Sequence, residues 1–175
     1  MADDNEIVSA VDAAFAHCAR PEHFTYYKYC EECREHDQTL RSASRDKLTR
    51  EQFGVIGWDP VTFCSAPAKA YLFPRLVRLA LSKPDARYGW YGDQLISHLC
   101  PSSVYYSATP CEEFTLDEFY TFCTQEMRVS VTQFILHLIE TRGELIDEIG
   151  ESERFLYCHE LWRLSEGGVD CSDKA

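Results

Sequence analysis

The chain lacks what a membrane protein or a secreted protein would show. No run approaches the roughly 18 apolar residues that a bilayer-spanning helix needs, so no membrane partner is expected. The start, Met1-Ala2-Asp3-Asp4-Asn5-Glu6, has neither the basic first residues nor the apolar stretch of a secretory leader. Basic residues are scarce: 17 Lys and Arg face 29 Asp and Glu, a net charge of −12. A surface this negative repels phosphate, which argues against nucleic-acid binding by a broad basic face. Gly-rich phosphate loops, a G-x-S-x-G elbow and an H-E-x-x-H helix are all missing. No internal repeat or low-complexity tract is present, and no motif specifies a reaction.

What the chain does contain is a foldable core. Its 175 residues are 45% hydrophobic and 13% aromatic, and disorder would deplete the aromatics. That length suits a single domain, expected over residues 1–168 with a frayed tail at 169–175. The nine cysteines are Cys18, Cys30, Cys33, Cys64, Cys100, Cys111, Cys123, Cys158 and Cys171. An odd number in a chain of this size fits free thiols better than a disulfide framework, so a reducing cytoplasm is the expected location. Charge is unevenly spread. Residues 101–175 hold 15 acids and 5 bases, a net of −10, while residues 59–100 hold 3 and 5.

Apolar spacing predicts a mainly helical, all-α array, with at most a minor short β-hairpin. Ile7, Val8, Val11, Ala14, Phe15 and Cys18 predict a helix over about 4–18, capped by Asp3 or Asp4 and stopped by Pro21. A second helix falls within 27–42, with Cys30, Cys33 and Leu40 on one stripe. Thr49 to Gln52 has capping-box spacing, and Gly54 limits the helix it opens to about a turn. Gly57-Trp58-Asp59-Pro60 reads as a turn around an anchored aromatic. Ser65-Ala66-Pro67 starts a helix that Pro74 either divides or kinks. Asp93 is placed as the cap of a helix ending before Pro101, and Val104-Tyr105-Tyr106 is the best strand candidate.

The clearest helix start is Thr115-Leu116-Asp117-Glu118, with Phe114 and Phe119 at staple spacing. Ser130 and Thr132 are further candidate caps, so residues 116–149 form one helix or two. Val131, Phe134, Ile135, Leu138, Ile139, Leu145, Ile146 and Ile149 make its apolar stripe. Gly150 breaks it. Ser152 begins a last helix with Phe155, Leu156, His159 and Trp162 facing in, closed by Gly167-Gly168.

One cluster has the residue types of a metal site. His17, Cys18, His23, Cys30, Cys33 and His36 crowd into twenty positions. Zinc favours thiolate and imidazole and takes four ligands in structural sites, for which His23, Cys30, Cys33 and His36 are the candidate set. On a continuous helix Cys33 lies about 60° from Cys30, and His36 about 120° away. Ligation by all three would want the helix to begin near Cys33. The alternative is a pair of small buried thiols on a helix face. A redox role for Cys30-Glu31-Glu32-Cys33 is opposed by the two glutamates, which disfavour a thiolate. Cys64, just before a helix start, is a candidate nucleophile, with His98, His137 or His159 as base and Asp59 as orienter. Tyr26, Tyr27 and Tyr29, and Tyr88, Trp90 and Tyr91, fit a binding cleft or core and loop anchoring, with anchoring favoured.

Ala14-Phe15, Arg20-Pro21-Glu22, Cys30 to Asp37, Leu40, Trp58-Asp59-Pro60 and Tyr71-Leu72-Phe73-Pro74 together resemble a small uncharacterised bacterial family, a domain of unknown function. The likeness spans about residues 5–82. It implies a bacterial cytosolic protein and transfers no catalytic residue. The sequence therefore leads to a non-enzymatic protein that meets a basic protein partner through acidic C-terminal helices, with Glu140, Glu144, Asp147 and Glu148 as test positions. A zinc-binding domain, and an enzyme whose site assembles from distant residues, are the alternatives.

Overall fold

Apolar residues recurring once per turn set the architecture. The computed structural model describes residues 2–100 and 118–164, and it is all-α. Its helices are α1 (Asp4–Ala14), α2 (Glu31–Arg41), α3 (Arg50–Phe53), α4 (Ala66–Leu81), α5 (Tyr91–Leu99), α6 (Glu118–Phe122), α7 (Gln125–Thr141), α8 (Gly143–Glu148) and α9 (Ser152–Leu164). Two 3-10 turns cover Arg45–Lys47 and Pro60–Phe63. Extended pairing among the described residues is limited to isolated bridges such as Thr25 with Cys64. The Val104–Tyr106 strand, the Thr115 cap, Phe114, Cys111, the closing Gly167-Gly168 and the tail lie outside the described residues, as does Pro101.

Helix starts follow side-chain chemistry. Asp3 caps α1 by accepting from the Glu6 N–H at 2.9 Å, while Glu6 reaches back to the Asp3 N–H. The expected Thr49–Gln52 box opens α3. Gly54 comes next with φ +60°, and a Cβ there would lie 2.3 Å from the Trp58 carbonyl oxygen, so only glycine fits. Pro74 neither divides nor ends α4, which is one helix with that proline inside it.

Several boundaries differ from expectation. Helix α1 stops at Ala14, and Phe15 and Cys18 reach the core from the turn beyond it. Helix α5 starts at Tyr91, so Asp93 sits in its first turn and does not cap it. Residues 118–149 form three helices. Thr124 caps α7 by accepting from the Met127 N–H. Ser130 and Thr132 lie inside α7, donating to the Met127 and Arg128 carbonyls. Leu156 is 54% exposed and does not face the core.

Helix α4 lies at the centre, packed by α1, α5 and α6, while α7 packs against α1 and α9. Phe73 of α4 gathers them. Its ring lies 4.8 Å from Phe15, 5.8 Å from Phe119 and 6.1 Å from Phe134. Polar ends are tied across the core by backbone carbonyls. Trp90 Nε1 donates to Ala80 O at 2.7 Å and Trp162 Nε1 to Leu99 O at 3.1 Å. Arg142 donates to Leu81 O at 3.1 Å and to Asp4 at 2.8 Å, fastening the start of α1 to the end of α7.

Candidate functional site

The polar half of the molecule lies where α2 meets the turn before α4. Asp37, buried on α2, accepts from the Phe24 N–H at 2.6 Å and the Thr25 N–H at 3.3 Å. Its other oxygen is 2.8 Å from His23 Nδ1 and 3.6 Å from Arg41. Thr25 then donates to Cys33 O at 2.6 Å, and Ser65 N donates to Phe24 O at 2.9 Å. The segment before α2 is thus laced to both α2 and the start of α4.

The four candidate metal ligands do not converge here. Helix α2 begins at Glu31 and not near Cys33, with Cys30 as its N-cap. Cys30 Sγ accepts from the Cys33 N–H at 3.2 Å, and the two sulfurs lie 2.7 Å apart. The Cys33 thiol is pushed up, first by its hydrogen bond to Cys30 and then by burial. His23 turns to Asp37 and stacks on Tyr27, its ring centroid 3.7 Å away. His36, 2% exposed, is held between Phe63 and Trp58 at 4.9 and 4.8 Å. No group of three or more His, Cys, Asp or Glu among the described residues has a metal-holding arrangement. Trp58, half-exposed in its turn, is anchored against His36.

A second pairing joins residues far apart in sequence. His98 Nε2 of α5 lies 2.6 Å from Asp59 Oδ2, and Asp59 Oδ1 accepts from the Val61 N–H at 2.9 Å. The pair lines a cavity of about 220 Å³ with Thr62, Lys69, Gln94 and Ser97. Asp59 and His98 are thus brought together, but Cys64 does not join them as a nucleophile. It is buried, its thiol is pushed far up by that burial, and it donates to Pro60 O at 3.4 Å. His137 instead meets Asp4, Nε2 to Oδ1 at 2.6 Å. His159 lies 3.7 Å from Glu160.

The tyrosines divide. Trp90 and Tyr91 are core, as expected, but Tyr26 and Tyr29 are 57% and 87% exposed. They flank a cavity of about 500 Å³ that Cys33, Lys69 and Glu118 also line. This pair is therefore not core, although the Tyr26 hydroxyl is anchored by donating to Glu118 at 2.9 Å.

The third region is the acidic corner where α7 passes into α8. Glu140, Glu144 and Glu148 are exposed on the wall of a cleft of about 570 Å³. None of the three has a hydrogen-bond or ion-pair partner among the described residues. Neither α7 nor α8 has a basic residue in its last turn, where the helix dipole is negative. Arg142 stands in the same wall but is committed to Asp4 and Leu81 O. Asp147 differs from the three glutamates, because it accepts from the Ser152 hydroxyl. Glu140 also borders a groove of about 490 Å³ between α1 and α7, where Ile7, Ala10 and Leu136 are apolar lining.

No protein-family model, curated protein or solved structure matches the chain. No described helix is long and apolar enough to cross a membrane.

Proposed function

We propose that this protein acts by binding a basic, amphipathic segment of a protein partner along the α1–α7–α8 surface. The observation that supports this is the shared wall at Glu140. On one side of it lies a groove where Ile7, Ala10 and Leu136 alternate with Glu6, Gln133 and His137, on the other an acid-rimmed cleft. Apolar side chains of the partner would cover Leu136 and Ala10, and Lys or Arg would meet Glu140, Glu144 and Glu148. Glu140 and Glu148, unpaired in the last turns of α7 and α8, cost the fold about 0.3–1 kcal/mol each, and a cationic partner relieves that cost; Glu144, in the first turn of α8, adds charge to the same wall. The charges steer encounter, and the apolar residues of the groove hold the complex. The charge reversals Glu140→Lys, Glu144→Lys and Glu148→Lys, made together, test it. Binding to a Lys/Arg-rich amphipathic peptide, read by fluorescence anisotropy, should weaken with salt and vanish in the triple variant. Equal binding by wild type and variant, or the same captured partners from cells, sinks the reading.

A second reading is general acid–base catalysis at His98. It draws support from the His98–Asp59 pair in a polar cavity with Lys69, Gln94 and Ser97. Screening hydrolysable ester and phosphoester probes against wild type and His98→Gln decides it. Turnover that the variant loses supports it, and equal turnover retires it.

A further inference from the structure

We propose that Cys30 and Cys33 form a redox-active dithiol that exchanges with a small zwitterionic disulfide. This is independent of the acidic surface. Three observations meet at the pair. The sulfurs lie 2.7 Å apart across the first turn of α2, so a bond closes with little movement of the chain. Cys30 is the N-cap and is partly exposed, while Cys33 is buried behind it, giving an attacking sulfur and a resolving one. The bonds Thr25 to Cys33 O and Ser65 N to Phe24 O hold this turn against the start of α4.

A cavity of about 500 Å³ that reaches the pair through Cys33, with Cys64 and not Cys30 among its other walls, suits a small ligand. Tyr26 and Tyr29 offer exposed aromatic faces on its rim, and Tyr26 donates to Glu118 at 2.9 Å. Lys69 and Glu118 put one cation and one carboxylate on the same wall, matching a peptide-like molecule that carries both charges.

The exchange balances without a further reagent. The Cys30 thiolate attacks one sulfur of the small disulfide, forming a mixed disulfide and releasing one thiolate. The Cys33 thiolate then attacks Cys30 Sγ, closing the Cys30–Cys33 bond and releasing the second. The two cysteine protons end on the two released thiols; the protein is oxidised by two electrons and the small disulfide reduced. Glu31 and Glu32 occupy the first turn of α2. They disfavour the reduced thiolate, so the exchange is slow and the closed disulfide, once formed, is favoured.

The test equilibrates the whole protein in glutathione buffers of graded reduced-to-oxidised ratio, with acid quench, alkylation and peptide mapping at each ratio. Cys30 and Cys33 should lose alkylation together, in one two-electron step, at ratios that leave Cys18 alkylated. Cys33→Ser should accumulate glutathione on Cys30. If both thiols stay alkylatable at the most oxidising ratio, or oxidise no more readily than Cys18, the proposal is overturned. The wild-type titration decides this even if a variant fails to fold. For the cavity, Lys69→Ala should slow oxidation by glutathione disulfide on the order of tenfold and leave oxidation by neutral hydroxyethyl disulfide unchanged. Equal slowing with both removes the cavity from the assignment.

Discussion

The region around α2 and the corner between α7 and α8 treat charge in opposite ways. Around α2, Asp37 has its two oxygens shared among two backbone N–H groups, His23 and Arg41. Asp59 likewise serves both Val61 N and His98. At the corner, Glu140, Glu144 and Glu148 are exposed and unpaired among the described residues, and the nearby arginine is engaged elsewhere. A carboxylate committed inside a fold is structural. A carboxylate left over, as Glu140 and Glu148 are in last turns where the helix dipole opposes them, is available for something outside the fold.

That contrast can be broken by substitution, and the largest effect belongs to Asp37. Asp37→Ala strands two buried N–H groups and should cost about 3 kcal/mol, read as a lower urea midpoint at unchanged slope. Binding of a basic peptide at the corner by the folded fraction should not change. Asp59→Ala removes the cap on Val61 and leaves His98 unpaired, for a loss of about 2 kcal/mol. If either variant were as stable as wild type, the first region would not be the structural one.

At the corner the sign reverses. Glu140→Lys and Glu148→Lys each place a cation in the last turn of a helix, and each should raise stability by about 0.3–1 kcal/mol at low salt. The same variants should lose affinity for the basic peptide. A stability loss would show that these carboxylates have structural partners after all.

Asp4, held by His137 and Arg142 at the end of α7, sharpens the comparison. Burial opposes its charge, but hydrogen bonds from His137 and Arg142, and their positive charge, prevail and hold its carboxyl below the ordinary 3.8. A lowered folded value means stabilisation that is present above the unfolded pKa and lost as pH falls through the folded one. Asp4→Asn should therefore be less stable than wild type at neutral pH. The difference should be small, because the side chain is 44% exposed to screening solvent, and it should close below about pH 4. Urea midpoints across that window test it, and a gap that widens in acid would contradict the assignment.

Helix existence was legible because it depends on spacing along the chain. Val131, Phe134, Ile135 and Leu138 are buried on one stripe, as their periodicity requires. Boundaries were less so. Ser130 and Thr132 have the chemistry of caps, yet inside a helix the same hydroxyls bond back to carbonyls three and four residues earlier. Thr124 caps through the Met127 N–H, and the reciprocal bond falls on the weak acceptor Met127 Sδ, which no Glu or Gln rule detects. The acidic half of the corner could be read directly, since Glu140, Glu144 and Glu148 are close in sequence. Its apolar half could not, because Ile7 and Ala10 come from α1. The His98–Asp59 and His137–Asp4 pairs span 39 and 133 positions, and no local pattern announces either. The metal candidates show the converse: closeness in sequence with no metal-holding arrangement among the described residues. Their closeness in sequence was used up by Asp37, Phe63 and Trp58, which claimed His23 and His36.

The clasp of Asp4 on His137 and Arg142 bears on synthesis. These bonds span 133 and 138 positions, so α1 is made long before the α7 residues that cover that side of it. Until then Ile7 and Val11 lack their α7 neighbours, and α1 presents a sticky face to which a chaperone would bind.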